Sequence, residues 1–345
     1  MRVAVLGVGL IGGSVALAAR RRGDVHVTGW DRDPAVLAQA ADDGVVDLAV
    51  TQIAEARDID VWVVAVPLAA LAATIAAACA VADDGAIVTD VGSTKHSLVG
   101  ACAAGCYIGG HPLAGAETAG VAHARADLFD GATWYLTPTP ASPGDLYERL
   151  HRFVASLRAI PVAIEAAAHD RLMAAVSHLP HVLANVLVQQ AAFALGGDTL
   201  PATGPSFRDA TRVAGANPPL WAQIYAANAP ALAAQLDATI AQLQTVRDGL
   251  GDLEAWQQEA ADRRRALLEV GLAGGPEQEL RVSVPNRPGV VAELALALGH
   301  AGINISDMSL APSTDLRTGV VGLWVASADA ERARALITAK DLLVT

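Results

Sequence analysis

Short, nearly unbroken apolar runs open the chain: VAVL at 3 to 6, IDVWVVAVP at 59 to 67 and GAIVTDVGS at 85 to 93. Runs of this length, stopped by glycine, proline or charge, predict strands buried on both faces, as in a parallel sheet covered by helices. VHVTGW at 25 to 30 adds a strand, and Cys106 to Gly109 and Thr133 to Leu136 add shorter ones. Alanine-rich stretches between them, beginning with Ser14 to Arg21, read as the covering helices. From about Ala163 to Arg265 strand punctuation stops and long helical stretches take over. GLAGGPEQE at 271 to 279 has the composition of a linker. Beyond it the order is strand, turn, helix, strand, a third strand at 320 to 327, a helix and a short edge strand. The pattern predicts an α/β unit at 1–162, an all-helical unit at 163–270 and a ferredoxin-like unit at 279–345.

The first turn carries chemistry. Gly7, Gly9 and Gly12 in GVGLIG have GxGxxG spacing, with a strand before them and a helix after. The first glycine makes the tight turn, the second lets the backbone approach a pyrophosphate, and the third permits close helix packing; free amides at the helix start then bind phosphate. This is the turn of a Rossmann-type, doubly wound parallel sheet, and Val8, Leu10 and Ile11 belong to it. Asp31 ends the second strand, 24 positions after Gly7, where an acid is expected to bind a ribose and repel a 2'-phosphate. NAD is therefore the expected cofactor, although the adjacent Arg32 is a residue that in some geometries accepts a phosphate. Val66 and Pro67, at the carboxyl end of the 59–67 strand, join the cofactor set, because ligands of such sheets bind beyond strand ends. Asp90, Ser93, Lys95 and His111 are read as following strand ends in the same way.

Composition narrows the partners. A net charge of -12 disfavours nucleic acid, but one or two local arginines suffice for an anionic small molecule. An apolar content of 53% raises the question of a membrane span, yet no 18 strongly apolar residues run unbroken, so no membrane is expected. Cys79, Cys102 and Cys106 lack metal-type clustering and are read as reduced bystanders in a cytoplasmic protein; no metal is expected. The apolar helices, such as 222 to 247, carry more apolar surface than one small layer hides, which predicts a homodimer.

His111 is the leading acid–base candidate, since an imidazole accepts a proton near neutral pH while a nicotinamide takes a hydride. Alone, a histidine before a proline is equally an ordinary turn residue. Five ordered motifs decide otherwise: GVGLIGGS at 7–14, DVGSTK at 90–95, HPLAGAETAG at 111–120, SHLPH at 177–181 and FRDATRVAGANPPLW at 207–221. Together they resemble the prephenate dehydrogenase family, in order over roughly residues 1 to 265. The resemblance implies NAD-dependent oxidative decarboxylation of prephenate to 4-hydroxyphenylpyruvate, carbon dioxide and NADH. It implies that His111 accepts the proton of the ring hydroxyl and that Ser93 supports that hydroxyl and borders the nicotinamide, with a helix N-cap as the alternative role of Ser93. Arg212 matches an arginine that binds a substrate carboxylate, with Asp209 three residues before it to orient it. His181, Ser177 and His169 are implied in substrate binding, and His178 is read as structural; by spacing, Ser177 and His181 share one face if the helix runs through them, the alternative being a kink at Pro180 that turns side chains toward a cavity. Glu117 matches a glutamate near the pocket mouth that positions a loop or tunes a histidine. Ala116 stands where that family often has a hydroxyl residue.

Residues 279–345 are similar to the ACT domain, a module that binds amino acids. Asn286, in NRPG, takes the place of the usual acid, and Gly302 and Asn304 lie where such modules contact ligands. Tyrosine is the implied inhibitor; the alternative is a module that only pairs chains. Arogenate is the alternative substrate, another hydroxy acid a second, and a non-catalytic amino-acid sensor the non-enzymatic one.

Overall fold

The computed structural model describes the chain except residues 102–104, 116–117, 140–141, 195–202, 271–275, 288–289, 291–292, 295–296, 299–300, 302, 304 and 313–316. The assignments made to Glu117, Gly302 and Asn304 therefore lie outside the described residues. Residues 1–240 and 241–345 form two compact units.

In the first unit, β1 (Arg2–Leu6), β2 (His26–Trp30), β3 (Leu48–Ala49), β4 (Val61–Val64) and β5 (Ile87–Asp90) make a parallel sheet in the order β3-β2-β1-β4-β5. The connecting helices are α1 (Leu10–Arg20), α2 (Pro34–Asp42) and α3 (Leu68–Val81). Side chains alternate across a strand, and both sets are buried here. Val3, Val5, Val61, Val63 and Ile87 enter one core cluster, while Ala4, Leu6, Trp62, Val64 and Val88 enter the other. That division is why the apolar runs are unbroken, and it makes the sheet doubly wound.

A second sheet follows, with β6 (Gly109–Pro112), β7 (Thr133–Thr137) and β8 (Ile160–Ala163) in that order. β6 and β7 are antiparallel, β7 and β8 parallel, and Tyr107 bridges to Val88 of the first sheet. α4 (Gly144–Ser156) lies between β7 and β8 and buries Leu146, Leu150, Phe153 and Val154. The strand read at 106–109 thus begins at Gly109 instead, and His111 sits within it, paired with Tyr135, rather than beyond its end. Close packing explains the shift: a Cβ on Gly110 would come within 2.5 Å of the Asp90 carbonyl oxygen. Glycine at 110 lets the backbone approach β5 this closely, where a side chain would hold it off.

Glu165 starts the helical part by accepting from the amides of Ala167 and Ala168, an N-cap for α5 (Ala166–Met173). A π turn at Ala174–His178 leads into α6 (Leu179–Ala194). The helical run continues through Pro180; the widened π turn just before it accommodates the missing amide and the ring, so no break is needed. By length and composition alone this run, 166–194, is apolar enough to cross a membrane, with a mean hydropathy of 1.3. α7 (Pro205–Thr211), a 3-10 turn at Arg212–Gly215, α8 (Pro218–Ala227) and α9 (Ala229–Asp248) follow. The helix read at 222–247 is thus two, parted at Asn228.

The second unit contains α10 (Glu254–Val270) and an antiparallel sheet of β9 (Glu277–Pro285), β10 (Ile305–Pro312), β11 (Thr318–Ala326) and β12 (Leu343–Val344), ordered β10-β11-β9-β12. Leu280, Val282 and Val284 alternate inward against α11 (Ala330–Thr338) through Ala333 and Ile337. Among the described cysteines, Cys79 is disulfide-bonded, contrary to the expectation of reduced bystanders. Spacing along the chain does not report which thiols packing brings together.

Candidate active site

The glycine turn is built for close approach. Gly7 has φ +95°, its amide donates to the Trp30 carbonyl at 2.7 Å, and a Cβ there would lie 2.5 Å from the Ala65 carbonyl oxygen. A Cβ on Gly12 would overlap the Gly7 carbonyl oxygen, whereas at Gly9 it would meet nothing within 4 Å. The first and third glycines are therefore required by the fold, and the second faces open space that a ligand can enter. Asp31 accepts from the Val8 amide at 3.0 Å through one oxygen and from the Asp33 amide at 2.9 Å through the other, which fixes its carboxylate at the rim. A cavity of about 670 Å³ extends from this turn, lined by Gly7, Gly9, Leu10, Ile11, Asp31, Arg32, Val66, Pro67, Ser93 and His111. Its volume, its glycine turn and its acid after the second strand fit a dinucleotide. Val8 and Gly12 support the turn from behind the wall, and Leu220 and Ile224 of α8 close the cavity from the helical side.

Behind His111 lies a polar network that ties three segments together. The Asp90 carboxylate, at the end of β5, accepts from the Tyr107 hydroxyl at 2.8 Å, the Gly110 amide at 3.0 Å and the Gly92 amide at 2.8 Å, and pairs with the Lys95 ammonium. Lys95 Nζ also donates to the Gly110 carbonyl at 2.8 Å. Burial pushes the Lys95 pKa down despite the attraction of Asp90, and burial with the Asp90 charge pushes Tyr107 well up. His111 is thus aimed by a strand whose neighbouring backbone is held at both its N–H and its C=O.

His111 Nδ1 lies 2.9 Å from His169 Nε2, and His169 Nδ1 lies 2.8 Å from Asp170 Oδ1. Asp170 also accepts from the amides of Lys95 at 2.8 Å and His96 at 2.9 Å. Burial would raise the Asp170 pKa, but the bond from His169 and those two amides together hold it low, so it is a carboxylate. The His111 pKa falls well below the ordinary histidine value through burial first, then through the fields of His169, Lys95 and His178. The imidazole is neutral at pH 7. The capping role considered for Ser93 is taken by Asp170, which satisfies the amides at the start of the 96–98 turn. Ser93 is left on the cavity wall.

One histidine differs from its expected placement. His169, expected to touch substrate, is 0% exposed and is enclosed by His111, Asp170 and the ring of Tyr135, off the cavity wall. His178 is equally buried, and its Nδ1 receives the Asn228 side-chain amide at 3.1 Å, an amide that also donates to the Asp170 carbonyl. His181 stacks on Trp221 with ring centroids 3.4 Å apart. Burial and then the charge of Arg212 lower its pKa, so the carboxylate-binding candidates Arg212 and His181 are neighbours. Ser177 is half-buried in the π turn. No ion pair joins Asp209 to Arg212 among the described residues. α7 ends at Thr211 and Arg212 enters a 3-10 turn, so the three-residue spacing does not fall on one helical face. Asp170 was not selected from the sequence as a site residue; its position directly after His169 was the available signal.

Three family models match along the chain. Residues 15–162 match the model for the nucleotide-binding domain of prephenate dehydrogenase, residues 165–263 that for its dimerization domain, and residues 279–339 that for the ACT domain. The chain belongs to the prephenate dehydrogenase family. It is 28% identical to prephenate dehydrogenase of Bacillus subtilis over 96% of this chain and 94% of that one. The crystal structure of prephenate dehydrogenase from A. aeolicus in complex with hydroxyphenyl propionate and NAD+ superposes with a TM-score of 0.71 at 27% identity, covering 77% of this chain and 98% of that one. The Synechocystis arogenate dehydrogenase gives a TM-score of 0.68 at 28% identity, with 77% and 100% coverage. Membership in this family supports dehydrogenase activity on prephenate or arogenate.

Proposed function

We propose that the chain catalyses NAD-dependent oxidative decarboxylation of prephenate in tyrosine biosynthesis, forming 4-hydroxyphenylpyruvate, carbon dioxide and NADH. The observation that carries this reading is His111 on the wall of the same cavity as the glycine turn and Asp31, where burial pushes its pKa down. When bound, NAD supplies the hydride acceptor, held by the turn from Gly7 to Gly12 and by Asp31, Arg32, Val66 and Pro67. His111 accepts the proton of the ring hydroxyl as the hydride leaves the same carbon, and Ser93 supports that hydroxyl. Arg212 takes a substrate carboxylate, with His181 held beside it by Trp221 and with Ser177 nearby. The NAD and hydroxyphenyl propionate in the A. aeolicus relative support both halves of this assignment.

Arogenate is the competing substrate, favoured by the likeness to the Synechocystis enzyme. The 1–162 unit is assigned to the cofactor, 163–270 to substrate and dimerisation, and 279–345 to regulation by tyrosine. A second cavity of about 220 Å³, lined by Asn286, Arg287, Val290 and Val320, supports the regulatory assignment. The apolar surface of α6 at Val186, Leu187 and Phe193 supports a homodimer, as does the match to a dimerization domain. The reading places the enzyme in the cytoplasm.

The test follows NADH and NADPH formation on prephenate and arogenate, with and without tyrosine, for the wild type and His111→Asn. The variant should bind NAD normally and turn over about two orders of magnitude more slowly. A loss under about fivefold would remove His111 from the chemistry. No turnover on either substrate would overturn the assignment, and undiminished turnover with tyrosine would overturn the regulatory part alone.

A further inference from the structure

We infer that His169 and Asp170 are positioning residues that fix the tautomer of His111, leaving its Nε2 without a proton and facing the cavity. This rests on the proposed role of His111 and extends it to two residues that do not touch the substrate.

The argument follows the protons. Asp170 Oδ1 accepts from the Lys95 amide and lies 2.8 Å from His169 Nδ1, so a carboxylate there requires His169 to carry its proton on Nδ1. With that proton on Nδ1, His169 offers its Nε2 as the acceptor. The atom 2.9 Å away, His111 Nδ1, must be the donor, because two bare nitrogens at that distance would repel. His111 is left with a lone pair on Nε2, on the ring edge opposite the buried contact. His111 lines the cavity and His169 does not, so that edge is the one available to a ligand. A hydroxyl that loses its proton needs such an acceptor; the other tautomer would offer it an N–H.

The surroundings hold the relay in register. Tyr135 of β7 sets its ring edge-on to His169 at 5.6 Å, and the rings of His111 and His169 meet at 74°. The titratable groups that face His111 are His169 from α5, Lys95 from the loop after β5 and His178 from the π turn. Asp90 and Tyr107 stand behind Lys95, and Asp170 behind His169. Asp170 also fixes the loop that carries Ser93 through the two amides, so one carboxylate on α5 orients both residues assigned to the hydroxyl.

Tautomers are read directly by two-bond nitrogen–proton correlation NMR of the full-length protein labelled with nitrogen-15 histidine, and this readout does not depend on turnover. The signal that vanishes in His111→Gln is that of His111; in the wild type it should show a protonated Nδ1 and a bare Nε2. In His169→Phe, which removes the acceptor, the His111 signal should move to the Nε2-protonated form, with kcat down at least about tenfold and NAD affinity unchanged. His169→Gln, whose amide both donates and accepts, should recover part of both. A wild-type His111 protonated on Nε2, a doubly protonated His169, or an unchanged His111 tautomer in His169→Phe would each overturn the proposal. If the phenylalanine variant does not fold, the wild-type and His111→Gln spectra still decide it. Wild-type protein inactive on both substrates would refute the proposed reaction while leaving the tautomer assignment to be judged by the spectra.

Discussion

Replacing Lys95 by methionine tests the network behind His111 through two independent quantities. The ammonium and the Asp90 carboxylate are both fully buried and paired, and Nζ also satisfies the Gly110 carbonyl. Methionine fills similar volume, so packing changes little and the loss is electrostatic. The variant leaves a buried carboxylate with three neutral donors, Tyr107, Gly92 and Gly110, and leaves one carbonyl without its partner. Breaking a buried pair from one side costs about 3 to 5 kcal/mol. At about 2 to 4 °C per kcal/mol for a unit of this size, the Tm should fall by roughly 6 to 20 °C. Urea unfolding and thermal scans measure this, and Asp90→Asn combined with Lys95→Met should recover part of the loss, because the uncompensated charge is gone. The same change removes a positive field that depresses His111. A wild-type enzyme that needs neutral His111 loses kcat/KM as pH falls through a pKa below the usual 6.5; in Lys95→Met that acid limb should move to higher pH. A stability loss below about 1 kcal/mol, with an unmoved acid limb, would refute the account of Lys95 as a charged member of this network.

The glycines of the first turn should separate fold from ligand. Gly12→Ala is expected to destabilise the protein by about 1 to 3 kcal/mol in urea unfolding, whereas Gly9→Ala should leave stability near the wild type and weaken NAD binding by calorimetry at least about tenfold. His178 has a pKa lowered to about 4 by burial, above all, and its bare Nδ1 accepts from Asn228. Its folded pKa lies below its unfolded one, so the unfolded state binds the extra proton first. Stability is full above about pH 6.5 and should decline toward pH 4. A Tm profile flat over that window would contradict the assignment. Phe193 is 82% exposed on α6, so Phe193→Asp should shift the protein toward monomer in light scattering, and an unchanged mass would move the dimer face elsewhere.

Much of the first unit was legible because its determinants are local. Gly7 needs a positive φ, β1 and β4 are short and apolar on both faces, and Asp31 ends the strand after the turn; each is visible within a few residues. The alternation in β9 and the apolar run of β11 made the sheet of the second unit legible in the same way. The turn, the acid and the order of strands and helices were therefore properties of the sequence itself.

What the sequence left open depends on contacts between distant residues. Whether His111 stood in a loop or a strand was decided by antiparallel pairing of β6 with β7 and by the close crossing that Gly110 allows over Asp90. Arg212 and Asp209 have helical spacing, yet the change to a 3-10 turn parts them. His169 looked like any of several histidines near a pocket, and only packing α5 against β6 sets it between Asp170 and His111, 58 positions away along the chain. Sequence determines which residues are capable of exchanging a proton; tertiary structure decides which nitrogen holds it, because a tautomer is set by the partner on the ring's far side, and that partner arrives only when the chain folds.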